Sequence, residues 1–292
     1  MSDPDSLRDD SDDPTIQSTW SAIQEGMHVV HVPRELDPGD LPKLLANVAP
    51  ARHTLGVLEG KPVTDAVYER LFAELERRSV TLINDPEQHR VLREQDRALP
   101  LLGDLTPATV IIDSLDELPA ALEQVGLPAF IKGSVLSLKH LGWKRCVANT
   151  ETEAMSIARQ LLEEPSHSRG RILVRALVPL RRARVSQVDF PPAREFRLVV
   201  YRKQLVALGF YWPWILDFAD LEEGEPETLF ALAKDAATRI PAPYVSVDVG
   251  QLDDGSWVVI EVGDPQVSAS SGIDYRKSWR RLREVVAAYS VL

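Results

Sequence analysis

Cysteine is almost absent: the 292-residue chain carries one, Cys146. A lone thiol excludes an intramolecular disulfide framework and fits a reducing compartment. No stretch of about 18 consecutive apolar residues occurs, so no transmembrane helix is expected. The opening residues, MSDPDSLRDDSDDP, lack the basic-then-apolar order of a secretory signal. These absences together give the expectation of a cytoplasmic protein with no membrane partner. Two common nucleotide signatures are missing as well. There is no GxGxxG, and GVLEGKP at 56–62 is one residue too short for a P-loop, with Pro62 where Ser or Thr belongs. His28 and His31, three apart on a predicted strand, point to opposite faces and make a poor metal pair. Neither Cys146 nor any of the 6 histidines forms a nucleophile–base arrangement.

What is present is a soluble globular composition, 44% hydrophobic and 26% charged, with enough chain for one large domain or two ordinary ones. The formal charge is −11. Residues 1–13 hold six Asp against one Arg, which accounts for −5 of it. That clustering predicts a disordered acidic tail over residues 1–14. The rest is only mildly acidic, which argues against a non-specific nucleic-acid binder. Basic character is local, as in RILVRALVPLRRARV (171–185), where Arg181, Arg182 and Arg184 read as a solvated loop.

Residues 27–34 predict a strand, 65–78 an amphipathic helix with Val67, Leu71 and Leu75 on one face, and 79–85 another strand ended by Asn84-Asp85-Pro86. With the helix predicted from DPEQHRVLREQD, this alternation predicts an N-terminal α/β domain with a parallel sheet over 15–113. The second unit, 114–292, has its first signals near TPATVIID (106–113). Capping boxes Ser114-x-x-Glu117 and Thr150-x-x-Glu153 open helices, the first stopping at Gly126. LPAFIKG (127–133) and RILVRALV (171–178) read as strands, REFRLVVYRKQLVALGFYW (194–212) as a hairpin and PETLFALAKDAATR (226–239) as a helix. The final helix carries Trp279, Leu282, Val286 and Tyr289 at 3–4 spacing. Mixed helices and antiparallel hairpins make this second unit α+β, with subdomains of about 114–178 and 179–292.

The segment VSVDVGQLDDGSWVVIEVGDPQ (245–266) predicts a hairpin turning at Asp254-Gly255. Centred there, Asp248 and Glu261 sit directly opposite on one face with Ser246 and Gly263. Val247, Val249, Val258, Ile260 and Val262 fill the other. Like charges across a strand pair are destabilising; at ~5 Å and an effective dielectric of ~20 the repulsion is roughly 3 kcal/mol. A shared proton, a neighbouring Lys or Arg, or a bound cation would relieve it, unless the pair simply faces solvent. An all-oxygen ligand set favours Mg²⁺ among the cations.

Other charges also interrupt apolar strands. Lys132 ends the strand Ala129-Phe130-Ile131 and precedes Gly133-Ser134, which suits a phosphate grip or a Lys whose head reaches water. Lys139 lies seven residues on, in a loop containing Ser and Gly. Glu195 and Arg197 alternate with Phe196 and Leu198, so they share a face, as a weak salt bridge or as cleft residues. Arg175 interrupts ILVRALV. The aromatic run Tyr211-Trp212-Pro213-Trp214 reads as packing.

The order of FIKGSVLSLKH, REFRLVVYRKQLVALGFYW and VSVDVGQLDDGSWVVIEVGDPQVS, with LINDPEQHRVLREQD upstream, resembles the ATP-grasp superfamily. It is most similar to the clade named for an active-site Arg and two Lys. The resemblance spans about residues 27–290 and implies a pre-ATP-grasp domain followed by two subdomains that clasp ATP. It implies that Lys132 and Lys139 contact the phosphates under a mobile 133–142 loop. Strand 172–178 then becomes the adenine hinge, with Arg175, Ala176, Leu177 and Val178 beside the nucleotide. Glu195 lies on the cleft wall, Arg197 faces the phosphates or an acyl phosphate, and Asp248 and Glu261 hold Mg²⁺. Two positions depart from the usual pattern. Gly263 stands where many ATP-grasp ligases have a metal-binding Asn, so Asp264 is the candidate for the missing ligand. Ala176 stands where the hinge often has an acid.

The resemblance implies an ATP-dependent carboxylate–amine or carboxylate–thiol ligase, acting through an acyl phosphate on small-molecule or peptide substrates. A small-molecule kinase and a nucleotide-binding regulator or scaffold without turnover are the alternatives. The loop SASSGID (268–274) is a candidate for substrate contact. The sequence leaves the oligomeric state open.

Overall fold

The computed structural model describes residues 13–30, 37–48, 54–60, 62–183, 189–215, 218–268 and 271–290. Arg184, His31, residues 269–270 of the candidate substrate loop and nearly all of the predicted acidic tail lie outside them. Asp13 and Pro14, assigned to that tail, instead start a helix, Pro14–Gln24: the Asp13 carboxylate accepts from Thr15 N–H at 2.8 Å, and Pro14 occupies the first turn. Residues 27–30 form no strand, contrary to expectation, and 31–34 lie outside the described residues.

Three sheets organise the described residues. Strand β1 (Thr54–Gly56) pairs in parallel with β2 (Val80–Leu82), joined through the helix Asp65–Glu76. Pro86–Arg93 and Gln95–Leu102 follow as two helices, not one, with the break at Glu94. A capping box opens the first, Asp85 accepting from Gln88 N–H while Gln88 returns to Asp85 N–H.

The second sheet has the order β3-β6-β4-β5, all antiparallel, from β3 (Thr109–Ile112), β4 (Ala129–Gly133), β5 (Val147–Ala148) and β6 (Ile172–Ala176). β3 lies within the stretch assigned by sequence to the N-terminal unit, yet it pairs with β6, so its hydrogen bonds place it in the second unit. Helices Leu118–Val125 and Glu151–Leu162 cover this sheet, and Ala121, Leu122, Ile157 and Leu161 fill the layer between. Gly133 ends β4 where the chain passes against another backbone. A Cβ there would lie 2.3 Å from the His167 carbonyl oxygen, so no larger residue fits without moving a strand.

The third sheet is β10-β9-β7-β8, from β7 (Glu195–Tyr201), β8 (Gln204–Phe210), β9 (Tyr244–Gln251) and β10 (Trp257–Gly263). Strict alternation divides its faces. Phe196, Leu198, Val200, Val245, Val247 and Val249 pack rearward with helix Glu225–Arg239 in the largest core cluster. On the front, Val199, Tyr201 and Tyr244 at one end are covered by the helix Tyr275–Ser290, whose Trp279 donates to the Ser18 carbonyl at 3.1 Å. The other end of that front face is polar and looks toward the second sheet.

The hairpin register holds Asp248 opposite Glu261, Val247 opposite Val262 and Ser246 opposite Gly263, as the sequence predicts. Nearer the turn it differs. Val259 pairs with Val249 and Trp257 with Gln251, so the ladder shifts between Val259 and Glu261. This bulge sends Val259 into the core and leaves Ile260 on the cleft wall, reversing the faces expected for Val258 and Ile260. The turn is also longer than two residues: Leu252 N–H donates to the Ser256 carbonyl at 2.8 Å, closing a loop over 253–255 with Gly255 at φ 87°.

Candidate active site

Registers across the third sheet set four residues in one row. Glu261 on β10 faces Asp248 on β9, Asp248 faces Arg197 on β7, and Arg197 faces Gly209 on β8. The absent side chain at Gly209 has a use: a Cβ there would lie 2.4 Å from the Ser271 carbonyl oxygen, so the chain after β10 folds directly over this end of the row. The second sheet supplies the opposing wall. Lys132, at the end of β4, donates to Glu261 Oε2 at 2.8 Å.

Each acid therefore has its own cation. Arg197 grips Asp248 with two parallel bonds, Nε to Oδ1 and Nη2 to Oδ2, both 2.7 Å, which is the strong bidentate form of the pair. Of the ways to relieve the facing charges, the structure shows the neighbouring Lys and Arg. Burial pushes the Asp248 carboxyl above its ordinary value against the pull of Arg197. At Glu261 burial acts in the same direction, but Lys132, Lys139 and Arg197 outweigh it and hold the carboxyl well below its usual range. Asp248 is sealed, its side chain 4% exposed, whereas Glu261 remains 29% exposed and offers oxygen to the cleft.

A cleft lies between the two sheets, open to solvent at its mouth. Lys132, Lys139, Arg175, Glu195, Asp248 and Glu261 all line it, together with Ala176, Leu177 and Val178. Lys139, on the short turn Lys139–Leu141, donates to the Tyr211 hydroxyl at 2.9 Å and lies 5.0 Å from that ring's centroid. Burial alone would lower its pKa; Tyr211 and Glu261 raise it on balance, so the ammonium stays charged. Burial pushes Glu195 up to about 7 despite Lys139, and Trp212 Nε1 donates to it at 3.3 Å. Desolvation lowers Arg175 to about 10, and its guanidinium bonds Thr109 and Thr106. Near neutral pH the lining cations outnumber the full negative charges, an environment that suits a polyanion.

Arg197 and Asp264 are placed differently from the sequence expectation. Arg197 does not line the cleft; it stands one layer back, behind Asp248 and 5.0 Å from the Tyr211 ring centroid. Asp264 leaves the metal set altogether. Its Oδ2 meets His89 Nδ1 at 2.7 Å, its Oδ1 accepts from Gln266 N–H at 3.1 Å, and it does not line the cleft. Among the described residues no group of three or more His, Cys, Asp or Glu side chains is arranged to hold a metal. The reason is local: Asp264 caps the turn Pro265–Val267, which directs its carboxylate toward the N-terminal unit.

Several cleft residues escaped the sequence reading. Arg182 lines the cleft over the Trp143 ring, 4.3 Å from its centroid, where the run of arginines suggested only a solvated loop. Tyr211 and Trp212 are cleft walls and not plain packing. The alternation Phe196-Arg197-Leu198 could have found Tyr211, which continues the front face of the same hairpin.

Comparison with solved structures gives the same architecture. A RimK domain ATP-grasp protein from Sphaerobacter thermophilus superposes with TM-score 0.57 at 18% identity, covering 94% of this chain and 97% of that one. The D-alanine–D-alanine ligase from Bacillus anthracis, complexed with ATP, gives 0.62 at 11% identity, covering 96% and 95%. The corresponding Coxiella burnetii ligase gives 0.52 at 15%, covering 78% and 71%. At these identities the likeness carries the fold alone. No curated protein sequence is similar enough to match. Residues 115–282, more than half of the chain, match an ATP-grasp domain family, the third of the clade named for an active-site Arg and two Lys. With two antiparallel sheets closing on a row of acids, lysines and an arginine, the chain belongs to that ATP-grasp family.

Proposed function

We propose that this protein is an ATP-dependent ligase that joins a carboxylate to an amine or thiol through an acyl phosphate. One observation carries the reading: Lys132, Lys139, Asp248 and Glu261, from separate elements and both sheets, converge on a single cleft. Phosphoryl transfer asks a protein mainly for positioning and for charge opposite the phosphoryl oxygens. Lys132 and Lys139 supply that charge. Ala176 N–H is taken by the Ala108 carbonyl at 2.8 Å, so Leu177 and Val178 are left as the hinge for adenine, with Arg175 behind them. Glu195 and Trp212 form the wall opposite.

The donor set fits Mg²⁺. Two carboxylates on paired strands, hard oxygen ligands and no thiolate are what that ion takes when substrate phosphates complete its shell. Asp248 and Glu261 would hold it, and when bound it would neutralise phosphoryl oxygens. Arg197 then fixes the Asp248 carboxylate plane instead of touching phosphate itself. Lys139 sits on the loop over the cleft, where closure would shield a reactive acyl phosphate from water.

The test is a coupled ADP-release screen over amino acids and short peptides with product analysis. A ligase yields ADP, inorganic phosphate and a product without phosphorus. A product that retains phosphorus would make the protein a kinase, and ATP binding without ADP release across the panel would make it a regulator.

A further inference from the structure

Lys132 and Glu261 meet across the cleft at 2.8 Å, yet the two sheets that carry them share no strand pairing. No backbone ladder therefore sets the separation between the end of β4 and the end of β10. A residue of the N-terminal unit is bonded to both.

Gln95 follows the break at Glu94 and opens the helix Gln95–Leu102. In that first turn its N–H has no acceptor within the helix. It donates instead to the Ser134 carbonyl at 2.8 Å, two residues past Lys132. The side chain reaches the other wall. Its Nε2 donates to the Val262 carbonyl at 2.7 Å, one residue past Glu261, and to the Leu92 carbonyl at 3.3 Å. Two carbonyl acceptors fix which end of the amide is nitrogen. Since β10 is an edge strand, it presents carbonyls that no ladder takes up, and Gln95 meets the one beside Glu261.

Asp96 reinforces the attachment to Ser134. It accepts from the Ser134 hydroxyl through Oδ1 and from Arg171 Nη1 through Oδ2 at 2.7 Å, while Ser134 N–H donates to the Arg171 carbonyl at 3.1 Å. Gly133, between Lys132 and Ser134, is pressed against the His167 backbone. The end of β4 is thus held on every side, and Gln95 ties it to β10. Gln95, Ser134 and Val262 are all buried, so water does not compete for these bonds. Gln95 does not line the cleft and lies outside residues 115–282, the part that matches the family.

We propose that Gln95 is a positioning residue for the nucleotide site, bonding both walls so that Lys132 and Glu261 stay in register toward the phosphates. The proposal rests on the ligase reading and deepens it, making the N-terminal unit part of the site. In such constellations a misplacement of about 1 Å can cost up to about 10²-fold.

The experiment is calorimetric titration of a non-hydrolysable ATP analogue, with Mg²⁺ present, into the full chain as wild type, Gln95→Met, Glu261→Gln and the double variant. Met has nearly the length of Gln and no donor. Gln95→Met is expected to weaken binding about tenfold in wild type. In Glu261→Gln it should cost less than twofold, because the group it positions is already gone. An equal loss in both backgrounds would mean a general effect on the fold and overturns the proposal, as does no loss in wild type. Circular dichroism checks that each variant folds. Where Gln95→Met does not, Gln95→Asn replaces it with the same expectation, since it keeps the amide but is a methylene too short for Val262. If neither folds, Gln95 serves the fold and the proposal is overturned. A wild type that binds no analogue overturns the ligase reading itself, whereas wild-type binding with equal losses overturns the positioning role alone, so the two failures are distinguishable.

Discussion

Replacing both acids, Asp248→Asn with Glu261→Gln, should lower ADP release by about 10²–10³-fold, the order found when one preorganised charge-stabilising group is removed. The substitutions are close to isosteric, but Asp248→Asn leaves the buried Arg197 without its carboxylate, so circular dichroism of the variant accompanies the rate measurement. Lys132 would lose its carboxylate and stay cationic toward the cleft, with Lys139 beside it, while Arg197, one layer back, would lose its fork. Nucleotide would therefore still be attracted, and what disappears is the pair of oxygens that can organise a metal between it and the sheet. The measurement is steady-state ADP release at saturating ATP and Mg²⁺. A rate within a few-fold of wild type would remove these carboxylates from the chemistry.

The second large effect is on stability. Arg197→Met removes one partner of a buried bidentate pair and leaves Asp248 sealed at 4% exposure with no guanidinium. Breaking such a pair from one side typically costs about 3–5 kcal/mol, whereas replacing both partners is close to neutral. Urea unfolding should show Arg197→Met strongly destabilised and Arg197→Met with Asp248→Leu restored toward wild type. The pH dependence has a definite sign. Without Arg197 the folded-state pKa of Asp248, already raised by burial, rises further above its unfolded value of about 3.9. A raised carboxyl binds more protons folded than unfolded, so the single variant should lose stability as pH rises from about 4 toward its new pKa and regain it in acid. A deficit that is flat with pH would mean that Asp248 is not the group left uncompensated.

Much of the site was legible because it obeys the two-residue period of strands. Asp248, Glu261, Glu195 and Arg197 stand out as charges breaking apolar runs, and a turn signal nearby gave the register that pairs the first two. The same reasoning misplaced Val258 and Ile260, since a bulge carries no composition of its own and appears only in how one strand meets another. Asp264 falls elsewhere than expected for a related reason. Adjacency to Glu261 in sequence suggested a shared metal, but the turn Pro265–Val267 rotates its carboxylate onto His89, 175 residues away in the chain. Contacts of that range have no local signature. The helix Pro14–Gln24 did have one, in Asp13-Pro14, masked by the acidity of the residues before it.

Asp248 and Glu261 are expected to bind nucleotide through a divalent ion inside the cleft. The most direct test is calorimetric titration of a non-hydrolysable ATP analogue into wild type and the double acid variant, with and without Mg²⁺. Mg²⁺ is expected to tighten binding to wild type by at least about tenfold, roughly 1.4 kcal/mol, and to leave the variant's affinity unchanged. Equal enhancement by Mg²⁺ in both proteins would contradict it.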